Sequence, residues 1–294
     1  GGAGLFEKAV EGCHFIEPST RHSAQPALIK GPLPPRIADL DVIPSPYLNG
    51  MLDQFFDGRL TPFVETNRGC PFKCSFCHTG NDYFQKTHTF SIDRIRSEIE
   101  HIAPRAAALG ISNLHIADTN FGMYPRDREI CMVLAEARDR YGWPLQIAAT
   151  TGKNNKERVI DATRIMGDAF SVTMSVQSMD QKVLSNIKRD NIKLDHYVQI
   201  NQHLAEQGRS TKGEVILPLP GETKESFMRG VDQMLEAGVS TILIYTLMLL
   251  EGTEFQDPDY REKHGIRGSF RIVPMDFGEY RGVRVFDYEE VGIQ

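Results

Sequence analysis

The sequence predicts an α/β fold: six parallel strands with intervening helices, an open sheet or partial (β/α)6 barrel, preceded by an irregular N-terminal strap and followed by a C-terminal extension. Three observations predict it. Between residues 61 and 250, short apolar runs alternate with stretches of helical hydrophobic spacing, which is the pattern of successive strand–helix–strand units. Seven of the sixteen prolines lie between Pro18 and Pro46, a density incompatible with regular structure. Beyond Gly252 the regular alternation fades. The expected organisation is therefore 1–60 helix and strap, 61–250 barrel core, and 251–294 extension with extra strands.

Each element follows from local pattern. Residues 5–17 suit a short helix, with Cys13 as a packed small hydrophobe, and 47–56 a second one leading into the core. Phe63-Val64-Glu65 forms the first strand. Residues 91–109 carry Ile92, Ile95, Ile99 and Ile102 at helical spacing, with Ser91 as N-cap and Pro104 as a break or kink. Further strands are expected at 113–117, 145–149, 170–176, 214–217 and 240–247. Helices are expected at 126–141, 156–166, 181–187, 194–206 and 226–237. Residues 271–276 and 283–287 are expected as extra strands beside the sheet.

Bulk properties narrow the function. A chain of 294 residues with 40% hydrophobic content can bury a substantial core. Its net charge of −6 supplies no field attracting nucleic acid or anionic lipid. The longest apolar run, 239–250, is too short to span a bilayer. Five cysteines, three of them in one loop, argue against a disulfide framework and for the cytoplasm. The chain opens Gly1-Gly2-Ala3-Gly4 and stops in a strand-like stretch, so further protein is expected on either side.

The chemistry concentrates in Cys70-Pro71-Phe72-Lys73-Cys74-Ser75-Phe76-Cys77, which follows the first strand. Three thiolates in so short a polar loop face a common centre, and thiolates gather for soft metals and iron–sulfur clusters. Three ligands to a four-iron cube leave one iron open to a small molecule. Other readings stand beside it. Cys74 to His78 also spells the CxxCH of haem attachment, although no export signal precedes it and Cys70 is left without a task. Zinc would need His78 or Cys131 as fourth ligand, and adjacent Cys77 and His78 close one tetrahedron poorly. A thioredoxin-like CxxC leaves one cysteine unexplained.

Reacting groups of such folds sit at the carboxyl ends of the strands. Those ends are polar here: Asp118-Thr119-Asn120 on the second strand, Ser175-Val176-Gln177 on the fourth, and Glu214 on the fifth. Glu214 among apolar residues reads as an acid facing a polar cavity or, alternatively, solvent. Ser175 and Gln177 suit hydroxyl recognition or strand-end capping. Asp118 and Asn120 suit either the site or the N-cap of the helix near 126. Gly221, in Pro220-Gly221-Glu222-Thr223, serves backbone geometry. The histidines lack metal-ligand spacing and read as structural.

The Cys70/Cys74/Cys77 loop, with Phe76 before the last cysteine and six strands behind it, resembles the radical S-adenosylmethionine (SAM) superfamily. The resemblance covers residues 61–250 and implies a partial (β/α)6 barrel of the radical SAM type. It implies that Cys70, Cys74 and Cys77 bind a 4Fe–4S cluster whose open iron is chelated by SAM. By the same resemblance, Phe76 lies near the adenine, Asp118 and Asn120 near the methionine amino group, and Ser175, Gln177 and Glu214 near the ribose. It implies a small-molecule or peptide substrate and an electron donor such as flavodoxin or ferredoxin.

Asp118-Thr119-Asn120-Phe121, the ILPLPGET stretch and the approach through Ile43-Pro44-Ser45-Pro46 are similar to the group with an N-terminal cobalamin-binding domain. The DxHxxG signature of that domain is absent from these residues, so either the domain lies outside this sequence or the chain works without cobalamin. Radical methyl transfer or rearrangement on a small molecule or peptide, with or without cobalamin, is the expected reaction. The contrasting hypothesis is a non-catalytic iron–sulfur or zinc-binding electron-transfer protein.

Overall fold

The computed structural model describes residues 9–152, 156–191, 194–206, 208 and 210–293. It contains two compact units, Gly1–Ala38 and Asp39–Gln294. In the first, strands β1 (His14–Ile16) and β2 (Leu28–Lys30) pair antiparallel around a single 3-10 turn at Pro18–Thr20. The helix expected over 5–17 is thus not what residues 9–17 form; residues 5–8 lie outside the described residues. Gly12 takes a left-handed φ of 74°, and the Gly31 amide donates to the Cys13 carbonyl, so this segment extends instead of coiling.

The second unit is built on six parallel strands: β3 (Phe63–Val64), β6 (Asn113–Phe121), β7 (Gln146–Thr151), β8 (Phe170–Gln177), β9 (Lys212–Leu217) and β10 (Thr241–Thr246). They are ordered β10-β9-β8-β7-β6-β3, so every strand neighbours its successor in the barrel sequence. Among the described residues β3 and β10 do not pair with each other, which leaves the barrel open on that side. Two-residue strands β4 (Asn67–Arg68) and β5 (His88–Thr89) pair antiparallel and close the base of the cysteine loop.

Helices α1 (Ile92–Ala108), α2 (Asp127–Tyr141), α3 (Lys156–Met166), α4 (Gln181–Asn186), α5 (Leu194–Glu206) and α6 (Lys224–Glu236) fill the connections. Helix α1 turns Ile95, Ile99 and Ile102 inward, each at most 2% exposed, and burial of each such side chain contributes roughly 1.5–3 kcal/mol. Ser91 caps it, accepting from Arg94 N at 3.1 Å. The helix runs through Pro104 to Ala108 instead of breaking there. Pro104 costs one backbone bond, and the fully buried Ala103 and Ala106 hold the final turn against the core. Phe121 and Phe170 meet edge to face at 5.8 Å in the core, in the same buried cluster as Trp143.

Two further expectations change. Residues 47–56 form turns and a 3-10 segment at Asp53–Phe55, not a helix, because Asn49 Oδ1 accepts the Met51 amide that a helix would direct to the Tyr47 carbonyl and Gly50 takes a left-handed φ of 79°. The C-terminal strands β11 (Arg267–Tyr280) and β12 (Val283–Ile293) form their own antiparallel hairpin, not an addition to the parallel sheet. Its base is tied to the chain after β10 by Leu249 N to Glu290 O and Gly292 N to Leu247 O, both 2.9 Å. Between them runs α7 (Pro258–His264). No described helix is long and apolar enough to cross a membrane.

Candidate functional site

The cysteine loop leaves β4 at Gly69 and spans the open side of the barrel. Cys70 N donates to Phe84 O at 2.9 Å, and Ser75 N donates to Ile187 O, beyond α4, at 3.0 Å. Tyr260 of α7 lies 3.1 Å from Ser75 Oγ and donates to Asn186 O at 2.8 Å. Gly80 closes the loop on itself: a Cβ there would lie 2.3 Å from the Cys74 carbonyl oxygen, so only glycine fits. Cys70 and Cys74 are buried and Cys77 is half-buried.

All three thiols line one cavity of about 220 Å³, together with Phe76, Ser175 and Gln177. Among the described residues no three His, Cys, Asp or Glu side chains gather closely enough for a single metal ion. Three cysteines lining one cavity are a donor set that fits an iron–sulfur cluster, whose thiolate ligands attach to separate irons. All five cysteines are free of disulfides.

The strand ends are irregular where they reach this cavity. Pairing of β6 with β7 slips between Ile116 and Phe121, and pairing of β8 with β9 slips between Ser175 and Gln177. Such bulges re-aim side chains beside functional sites. Gln177 takes a left-handed φ of 64° inside a tight turn closed by Ser178 N to Val176 O at 2.8 Å. Its Oε1 is buried with no partner. The turn thus brings a buried acceptor without a partner to the cavity that the three cysteines line.

The other expected residues divide. Ser175 Oγ donates to Glu214 Oε2, and Tyr245 OH donates to Glu214 Oε1 at 3.4 Å. Glu214 is thus half-buried and partnered across adjacent strands instead of facing solvent at a strand entry. The Glu214 carboxylate and partial burial raise the Tyr245 hydroxyl pKa, burial being the larger cause.

Asp118 borders the cavity, yet both carboxylate oxygens are engaged: Oδ1 accepts from Thr66 N at 2.7 Å and Oδ2 from Asn67 Nδ2 at 2.6 Å and from Thr66 Oγ1. Burial pushes its pKa up to about 6 against these hydrogen bonds. Asn120, 1% exposed, lies against Cys70 and keeps a buried Oδ1 without a partner. Neither caps α2; Asp127 itself accepts from Gly122 N and Tyr124 N.

One cavity residue had no sequence signal. Arg189, in the loop after α4, is 4% exposed and donates to Asn191 Oδ1 at 2.7 Å and to Ser175 O, with Nη1 3.9 Å from Cys74 Sγ. Burial lowers its pKa, partly countered by the Cys74 sulfur. Asn191 in turn donates to Val176 O and Ser178 O, at 2.7 and 2.9 Å, clasping the Gln177 turn. An arginine in a polar loop reads as a solvated charge, and only the tertiary fold brings it under the cysteines. Gly221, with φ 82°, fulfils its expected turn role before Thr223 caps α6.

Residues 64–234 match the family model of the Radical SAM superfamily. Over 249 residues the chain is 38% identical to the cobalamin-dependent radical SAM methyltransferase TokK of Streptomyces tokunonensis, covering 81% of this chain and 36% of that protein. It is 36% identical over 234 residues to the 2-(S-pantetheinyl)-carbapenam-3-carboxylate methyltransferase of Streptantibioticus cattleyicolor, covering 76% and 34%. The chain therefore spans about a third of the length of these relatives. Among solved structures it resembles the methyltransferase TsrM from Kitasatospora setae with tryptophan and a SAM analogue bound, with TM-score 0.59 and 17% identity over 76% of this chain and 43% of that one. The cobalamin-dependent SAM radical enzyme OxsB gives 0.57 and 14% over 87% and 37%.

Proposed function

Because the chain belongs to the radical SAM superfamily, we propose that it is the catalytic core of an enzyme that uses one site-differentiated 4Fe–4S cluster, SAM and cobalamin to methylate a small-molecule substrate. The observation that carries this is the single cavity joining Cys70, Cys74 and Cys77 to an unsatisfied Gln177 acceptor and a buried Arg189. When bound, such a cluster supplies the electron that cleaves SAM to methionine and a deoxyadenosyl radical able to take hydrogen from substrate.

The chain's own residues supply binding, orientation and electrostatics. Cys70, Cys74 and Cys77 ligate the cluster. Gln177 Oε1 and the Ser175–Glu214 pair accept from ribose hydroxyls, and the Phe76 backbone borders the adenine. Asn120 Oδ1 accepts from the methionine amino group. Asp118, with its oxygens engaged, braces residues 66–67 at the root of the loop. Arg189, buried with Nη1 3.9 Å from Cys74 Sγ, balances the negative charge of the thiolates.

Methyl transfer is favoured over other radical reactions by the two relatives more than one-third identical, both named methyltransferases. The reading extends to a cytoplasmic setting, where thiols stay reduced, to flavodoxin or ferredoxin as electron donor, and to residues 61–250 as the catalytic core. A sealed electron-transfer site is disfavoured, because it has no use for unsatisfied acceptors beside its cysteines. The test is electron paramagnetic resonance of the reduced, reconstituted protein. SAM should alter the cluster signal, and S-adenosylhomocysteine formed with added cobalamin would point to methyl transfer. A signal indifferent to SAM would return the chain to the binding-protein class.

A further inference from the structure

We propose that Asn120 sets the reduction potential of the cluster through a hydrogen bond to the Cys70 thiolate, an inference that rests on the cluster reading above. Asn120 Nδ2 lies 3.2 Å from Cys70 Sγ and 3.0 Å from Thr119 Oγ1. Thr119 spends its one hydroxyl hydrogen on Gly69 O at 3.2 Å, so toward Asn120 it is an acceptor. That fixes the amide: its NH₂ end faces the sulfur and its oxygen faces away. The slipped pairing between Ile116 and Phe121 is what turns the side chain under the cysteine loop.

Hydrogen bonds to ligating sulfurs are a principal lever on cluster potential. Adding one electron increases the negative charge on the thiolates, so an N–H donor stabilises the reduced form more than the oxidised form. Asn120 is 1% and Cys70 4% exposed, so water cannot substitute for the donor, and the buried setting strengthens the interaction. The amide is neutral, and its effect is therefore directional, unlike the diffuse field of Arg189.

The experiment is a potentiometric titration of the full chain, anaerobically reconstituted, with dithionite, mediators and no SAM, followed by electron paramagnetic resonance. Asn120→Leu removes the donor; Asn120→Asp keeps the size and presents an acceptor. At fixed solution potential the reduced-to-oxidised ratio should fall about tenfold in Asn120→Leu, or about 59 mV for one electron, and at least as far in Asn120→Asp, with iron and sulfide content unchanged. Parent-like potentials in a fully loaded variant overturn the inference. If Asn120→Leu does not fold, Asn120→Asp decides. Loss of the cluster in both variants assigns Asn120 to assembly instead and also overturns it. A parent that assembles no cluster overturns the cysteine assignment itself, and this inference with it.

Discussion

The hydroxyls of Ser75 and Tyr260 lie 3.1 Å apart across 185 residues of sequence, and the Tyr260 hydroxyl continues to the Asn186 carbonyl at 2.8 Å. A residue between two cysteines is thus pinned to α7 and to the end of α4.

Tyr260→Phe removes both bonds and leaves the Ser75 hydroxyl and the Asn186 carbonyl without this partner. Chemical denaturation should show a loss of about 1 kcal/mol, the usual net value of such bonds, and iron should be taken up more slowly on reconstitution. Parent-like stability and uptake would mean that the loop is held by its backbone bonds alone.

Glu214 accepts from Ser175 and Tyr245 on neighbouring strands. Glu214→Gln keeps the shape and removes the charge from an acceptor whose hydrogen bonds are worth about 1.5–3 kcal/mol. SAM affinity measured by calorimetry on the loaded protein should fall about tenfold or more, with iron content intact. Unchanged affinity would remove Glu214 from the site.

Burial raises the Asp118 pKa from 3.8 to about 6. The folded chain therefore holds this proton more tightly than the unfolded chain. Its contribution to stability is full below 3.8 and is lost as the pH rises through about 6. The difference of about two units corresponds to roughly 3 kcal/mol. Urea unfolding of the metal-free protein between pH 4 and 6.5 should show a downward slope in the parent that is reduced in Asp118→Asn. Parallel profiles would contradict the burial argument.

The parallel sheet and the cysteine loop were legible because hydrophobic period and thiol spacing are local signals. Helix 194–206 coincides with α5, and helix 156–166 with α3. Ser175 and Gln177 stand out in the sequence as polar residues at a strand end, and Glu214 as an acid among apolar residues. What could not be read is what depends on tertiary placement. Arg189 looks like any loop arginine until α4 carries it beneath Cys74, and Tyr260 lies far outside the strand–helix alternation. The Gln177 φ of 64° sits between two carbonyls held by Asn191, a conformation that no local preference of glutamine announces. The missing helix near residue 50 is a case of side chains outcompeting backbone, a contest that hydrophobic spacing does not reveal.

The most direct measurement is product analysis after anaerobic reconstitution with iron and sulfide, followed by dithionite and SAM, with Cys74→Ala run alongside. Deoxyadenosine from the parent and none from the variant is the expected result. A parent that assembles its cluster fully yet yields no deoxyadenosine would contradict the assignment of Cys70, Cys74 and Cys77 to radical SAM chemistry.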